Sequence, residues 1–333
     1  MIAKHKALVI ISISLAILLL VVSIYALHLY QVNQSLDLEI EQRAEGLLSP
    51  RVYSGLLPAK NYLIINFNPL KKELEKYVQM QNLSASITLV NLRDGASLNI
   101  NEERKYYPAS LNKLPIAMII MQKVERRELG LEMKVPIDKE DRNVGWGDLY
   151  NTNRTQISIH ELLEKLLQES DNTGQDILID YVTEQDLTFL VNYTGYLKPT
   201  NNQDALLIDT QSMYSLFSSL YLSTILEPEN SEYILQLLTN TTFNLHDKAN
   251  LPPQTRIAQK FGSAVYDDVP VFHSCGILYT QGSKIFFCVM TQGLEPNPAS
   301  EHVGVIVNKI NGYVYKTRNQ LDEHRERQIA QEP

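Results

Sequence analysis

Pro108-Ala109-Ser110-Leu111-Asn112-Lys113 opens a strongly apolar run, Leu114 to Met121, whose periodicity predicts a helix over 110–128. On a helix Ser110 and Lys113, at i and i+3, share one face. A serine hydroxyl is a poor nucleophile until a neighbour takes its proton. A lysine becomes such a base only when burial or nearby positive charge lowers its pKa. The apolar run supplies that burial. Taken alone, the pair also reads as a serine N-cap followed by a solvated lysine. Pro115 sharpens the choice, because a proline in a helix interior costs roughly 3 kcal/mol. Either a local rule is broken at a functional site, or the helix becomes regular only beyond Pro115.

Two later segments join it. Ser170-Asp171-Asn172 closes the periodic stretch containing Leu162, Leu163, Leu166 and Leu167, and Lys260-Phe261-Gly262-Ser263 follows the strand Arg256-Ile257-Ala258. Singly, the first is a good capping or turn tripeptide and the second means little. In this order and spacing, S-x-x-K, S-D-N and K-x-G resemble the three motifs of class A β-lactamases and penicillin-binding DD-peptidases. The resemblance covers 61–321. It implies an α+β, β-lactamase-like fold: an antiparallel sheet of about five strands flanked by helices, plus an all-helical lobe, with a cleft between the lobes.

The resemblance also implies roles. Ser110 is the acylated nucleophile and Lys113 its proton acceptor. Ser170 relays a proton to the leaving nitrogen, Asn172 holds a substrate amide, and Lys260 stabilises anionic charge across the cleft. The backbone N–H groups of Ser110 and Ser263 form the oxyanion hole, with Gly262 letting substrate approach the strand edge. Asp171 points away and fixes the loop.

The pattern breaks in two places. Class A enzymes carry a glutamate between the second and third motifs that activates the deacylating water. Here Tyr196 to Asp209 is shorter and holds no glutamate. Glu184 lies too early, in a predicted helix, and Asp204 is a poor substitute. In the third motif Phe261 stands where threonine or serine is usual, which removes a hydroxyl that would bond a substrate carboxylate. No arginine follows on the next strand. His273 is the one substitute in view, and it would bind an anion best below about pH 6.5. Its other reading is a strand-start histidine facing solvent.

Around this centre the chain divides into four parts. Ala7 to Leu27 carries no charged side chain and, at about 1.5 Å per residue, is long enough to cross about 30 Å of hydrocarbon. Lys4, His5 and Lys6 precede it, whereas 28–60 holds Arg43, Arg51 and Lys60 against Asp37, Glu39, Glu41 and Glu45. Residues 1–30 are therefore expected to be a cytoplasmic stub and transmembrane anchor, with everything after them outside the cell membrane. A cleaved signal peptide is the alternative. Then come a juxtamembrane spacer (31–60), the catalytic domain (61–321) and a polar tail (322–333).

Within the domain the pattern predicts a helix at 69–79, then strands at 87–91 and 97–101 joined at Arg93-Asp94-Gly95, a strong hairpin signal. Helices follow at 158–169, 172–181, 184–192, 210–221 and 231–238, strands at 256–260, 273–280 and 284–291, and a last helix at 300–321. The first hairpin and the last three strands are expected to share one sheet.

Cys275 and Cys288 flank the turn Tyr279 to Lys284. Two readings stay open, a cross-strand disulfide or two buried free thiols. Two cysteines with no neighbouring Cys/His set do not make a metal site, and no metal, cofactor or protein partner is expected. Across 333 residues, Lys+Arg 30 against Asp+Glu 38 leaves a net charge of −8, which excludes a nucleic-acid partner. The 44% apolar content is enough for a buried core and excludes a disordered chain.

The expected partners are thus a β-lactam or peptidoglycan-like substrate and the membrane. Three functions compete: a serine hydrolase acting on β-lactams or D-alanyl peptides, a slow-deacylating peptidase or penicillin sensor, and a pseudoenzyme keeping only the fold. Intact Ser110, Lys113, Ser170, Asn172 and Lys260 argue against the last.

Overall fold

A computed structural model describes residues 18–19, 21–31, 46–47, 65–196, 207–280 and 282–329, with side chains as far as residue 320. The chain divides into two units, Met1–Leu57 and Pro58–Pro333. In the first, residues 21–31 are helical and exposed. Most of the expected anchor and spacer lies outside the described residues. Among the described residues no helix is long and apolar enough to cross a membrane.

The second unit begins with α1 (Asn68–Met80) and the hairpin β1 (Ser84–Asn91) and β2 (Ser97–Ile100). Its turn forms as Asp-Gly chemistry dictates. Gly95 takes φ +80°, and the Asp94 carboxylate accepts from the Ala96 N–H (2.8 Å) and the Asn91 side-chain amide (2.9 Å). The middle of the chain is helical: α2 (Lys113–Glu125), α3 (Ile159–Glu164), α4 (Asn172–Ile179), α5 (Glu184–Thr194), α6 (Thr210–Tyr221), α7 (Pro228–Thr239) and the short α8 (Leu245–Lys248). A small antiparallel ribbon interrupts it, β3 (Lys134–Pro136) with β4 (Gln156–Ser158), too short to leave a period in the sequence. Strands β5 (Arg256–Tyr266), β6 (Val269–Thr280) and β7 (Ser283–Gln292) follow, then α9 (Pro296–Ile329), which is longer at both ends than its pattern predicts.

The five strands form one sheet in the order β2-β1-β7-β6-β5, every neighbour antiparallel. The first hairpin and the last three strands do share it. Both faces are covered. Phe287 packs into the core made with α1 and α9 (Leu70, Leu74, Val303, Ile306). Its neighbour Phe286 turns to the other face, against Tyr214 and Phe217 of α6 at 5.3 and 5.9 Å. Burial on both faces is why these strands read as near-continuous apolar runs rather than alternating ones.

Strand β5 lies at one edge of the sheet, with β2 at the other, and runs six residues past its expected end at Lys260. The chain reverses through Asp267 and Asp268, at φ 50° and 59°, between the paired residues Tyr266 and Val269. Two left-handed central residues match the twist of the flanking strands, and aspartate is one of the few side-chain-bearing residues that tolerate them. On the inner strands Cys275 pairs with Cys288 across β6 and β7, and the two are joined in a disulfide.

Gly276 of β6 marks the tightest approach in the sheet. A Cβ there would lie 2.3 Å from the Ala258 carbonyl oxygen and 2.8 Å from the Gln259 Cα. Gly276→Ala is expected to destabilise the protein by about 2–3 kcal/mol and to lower Tm by about 4–12 °C. Thermal unfolding followed by circular dichroism measures this, and an unchanged Tm contradicts the β5–β6 register.

Candidate active site

Two irregular backbone segments and one strand bring the expected residues together. The first precedes α2. Ala109 adopts φ +48°, uncommon for a residue with a side chain. It turns the chain into a single 3-10 turn, Ala109–Asn112. In that geometry side chains at i and i+3 eclipse, so Ser110 and Lys113 line up more closely than on an α-helix. Since α2 begins only at Lys113, Pro115 sits in its first turn, where the missing N–H has no intrahelical acceptor to lose. The proline is accommodated without a kink.

The second segment follows α3, where the helix widens into a π turn over Lys165–Glu169 and ends at Ser170, at φ 59° and ψ 34°. Such a left-handed residue costs of order 1–3 kcal/mol and persists only where its surroundings hold it. Two buried lysines do so. The Lys113 ammonium donates to the Ser170 carbonyl, to the Ser170 hydroxyl at 3.4 Å and to Asn172 Oδ1 at 2.7 Å. Lys260 Nζ donates to the same hydroxyl at 2.9 Å. Asp171, as expected, points away: its carboxylate caps α4 at the Gly174 N–H (2.7 Å) and accepts from the Leu149 N–H (2.9 Å).

The third segment is β5. A Cβ on Gly262 would meet the Ser110 nitrogen at 3.0 Å, the Pro108 carbonyl oxygen at 3.1 Å and the Ala109 Cβ at 3.2 Å. The glycine therefore lets the strand approach the turn that holds Ser110, a packing reason beside the substrate approach expected of it. That approach sets the Ser110 N–H beside the strand, one residue from the half-buried Ser263. All seven expected residues, Ser110, Lys113, Ser170, Asn172, Lys260, Gly262 and Ser263, thus converge on one place.

A family model described as the β-lactamase enzyme family matches residues 69–314. The chain belongs to that family. A relative, β-lactamase VEB-1 from Pseudomonas aeruginosa, is 23% identical over 274 residues, 74% of this chain and 90% of that one. The fold is that of TLA-1 extended-spectrum β-lactamase (20% identity, TM-score 0.67, 75% of this chain and 99% of that one). It is equally that of PBP-A (21% identity, TM-score 0.66, 78% of this chain and 100% of that one).

In this β-lactamase family member burial makes both lysines easier to deprotonate than a free lysine. Burial lowers the Lys113 pKa to about 8, and the charges of Asp171 and Asp176 only partly offset it. Lys260 is fully buried, and desolvation, with the positive Lys113 beside it, holds its pKa well below the ordinary lysine value. His273 is corrected on both of its readings. It neither faces solvent nor offers a cation. It is fully buried, with Nε2 at 2.8 Å from the Tyr107 carbonyl oxygen, and burial lowers its pKa to about 4. A possible cation site elsewhere, Asp148, Glu169 and Asp171, has its charge met by Lys165, at 2.7 Å from Asp148 and 3.2 Å from Glu169.

Sequence reasoning missed Trp146. It sits between Gly145 and Gly147, where a Cβ would strike the Asn172 Nδ2 at 2.5 Å and the Asp171 Oδ2 at 2.0 Å. Its carbonyl accepts from the Asn172 N–H at 2.9 Å, and its ring meets Phe261 edge-on at 5.2 Å. The signal was present as the chain's single tryptophan between two glycines. What hid it was the distance, in sequence, from every motif.

With Lys113 as base, the rate of serine acylation is expected to rise about tenfold per pH unit below about pH 8 and to level off above it, as the neutral amine fills. Acylation rates measured from about pH 6 to about pH 10 test this, and a flat profile contradicts a Lys113 base.

Proposed function

We propose that this protein is a membrane-anchored, extracytoplasmic serine hydrolase that is acylated on Ser110 by β-lactams or by D-alanyl peptides. The observation that carries the reading is the convergence of Lys113 and Lys260 on the Ser170 hydroxyl, beside the turn that holds Ser110. Neutral Lys113 takes the Ser110 proton as Oγ attacks the carbonyl carbon. The developing oxyanion is met by the Ser110 and Ser263 N–H groups. The C–N bond then breaks, and the proton passes through Ser170 to the departing nitrogen. Asn172, its Oδ1 held by Lys113, keeps its amide group for the substrate.

Deacylation is proposed to be slow. Between Tyr196 and Asp209 no glutamate is present to activate water. This favours a penicillin-binding peptidase or sensor over a fast β-lactamase, and a solved acyl-enzyme of a PBP-A variant with penicillin G shares the fold (TM-score 0.63). The anchor and outward location rest on the uncharged run 7–27 behind Lys4, His5 and Lys6 and on the exposed Leu18, Leu19, Val21, Val22, Ile24 and Leu27. The Cys275–Cys288 disulfide fits an oxidising compartment.

Intact-mass spectrometry after mixing with penicillin is expected to show an adduct that persists as free drug remains. An adduct that appears and vanishes while drug is consumed makes the protein a working β-lactamase instead. Ser110→Ala is expected to abolish the adduct, and Lys113→Ala to slow it by about two orders of magnitude or more. An unchanged rate in either variant contradicts the assigned roles.

A further inference from the structure

The side chains packed beside Lys260 are aromatic. Phe261 is 1% exposed. Its ring lies 5.2 Å from that of Phe243 and 5.2 Å, at a steep angle, from that of Trp146, and the Lys260 ammonium lies 4.6 Å from its centroid. Lys260 itself is fully buried and donates to Ser170 Oγ at 2.9 Å and to the Phe261 carbonyl oxygen at 3.0 Å. Its third donor direction is closed off by the ring. A carboxylate reaching for this ammonium would have to displace one of those partners and shed its own water against a ring.

The side chain expected to stand in for the missing hydroxyl is also withdrawn. His273, paired with Gly262 across the strands, is neutral at ordinary pH and committed to the Tyr107 carbonyl. Trp146, by contrast, remains 46% exposed and offers an apolar face. Resting on the acylation reading above, we propose that exposed Trp146, backed by the buried Phe261 ring that covers Lys260, makes this an aromatic subsite for a neutral, apolar group on the acyl donor, so that the protein selects against donors carrying a free carboxylate there. In the reaction the Ser110 Oγ–carbonyl carbon bond forms, the lactam C–N bond breaks and the hydroxyl proton ends on that nitrogen, whichever donor is used. Phe261 changes only which donor is held.

The test compares benzylpenicillin with its methyl ester, two probes with the same reacting ring and different charge. The full-length chain, Phe261→Thr and Trp146→Ala are each mixed with both, and Ser110 adduct formation is followed by intact mass. Each rate is divided by that probe's own alkaline hydrolysis rate. The wild-type chain is expected to react with the ester about tenfold faster or more, and Phe261→Thr to shrink that ratio by about tenfold. Should Phe261→Thr not fold, Trp146→Ala, at a half-exposed position, is expected to lower the ester rate alone by about threefold or more. Equal rates for acid and ester in the wild type, or a ratio unmoved by the variants, overturns the aromatic subsite while leaving acylation standing. No Ser110 adduct with either probe in any of the proteins overturns the acylation reading, and this inference with it.

Discussion

Two lysine ammonium groups buried against one serine hydroxyl are the constraint on which the rest of this structure depends. Burying a charged amine is expensive unless it is hydrogen-bonded or neutralised. Lys113 and Lys260 meet that demand by sharing Ser170, by taking Asn172 and two backbone carbonyls, and by giving up their protons more readily. The left-handed Ser170 and the π turn before it are the local departures that put the hydroxyl where both can reach it. Burial that costs stability there is also what lowers the Lys113 pKa to about 8.

The sheet and the helices serve that arrangement from opposite sides. Strand β5 carries Lys260 to the edge of the sheet and, at Gly262, comes close enough to touch the Ser110 turn. The inner strands behind it are fixed by burial on both faces and by the Cys275–Cys288 bond. From the helical side, Asp171 ties the start of α4 to Leu149, and Gly145 and Gly147 let the Trp146 loop lie flat on the same segment. A loosened contact on either side moves a donor away from Ser170.

Much of this was legible in the sequence, because local chemistry and tertiary structure agree there. The Asp94-Gly95 turn, the 3.6-residue periods of α4 to α7 and the apolar runs of β6 and β7 each signal one structure only. The three motifs were legible as a set though not singly. What escaped was what depends on contacts between distant segments. The burial of His273 is set by the Tyr107 carbonyl, and the partnership of Trp146 with Phe261 by two segments far apart in the chain. Strand β5 was cut short because Asp267-Asp268 is an unusual pair for a tight turn. The close approach of Gly262 to the Ser110 turn was not legible, because a meeting of two backbones leaves no mark beyond the glycine itself.

The central proposal is that Ser110, on the turn beside this lysine pair, is the nucleophile. Its most direct measurement is proteolytic peptide mapping of the wild-type chain after reaction with penicillin, with the modified residue located by tandem mass spectrometry. The account predicts the added mass on Ser110 and on no other residue. An adduct on a different serine or on a lysine, with Ser110 unmodified, would contradict it.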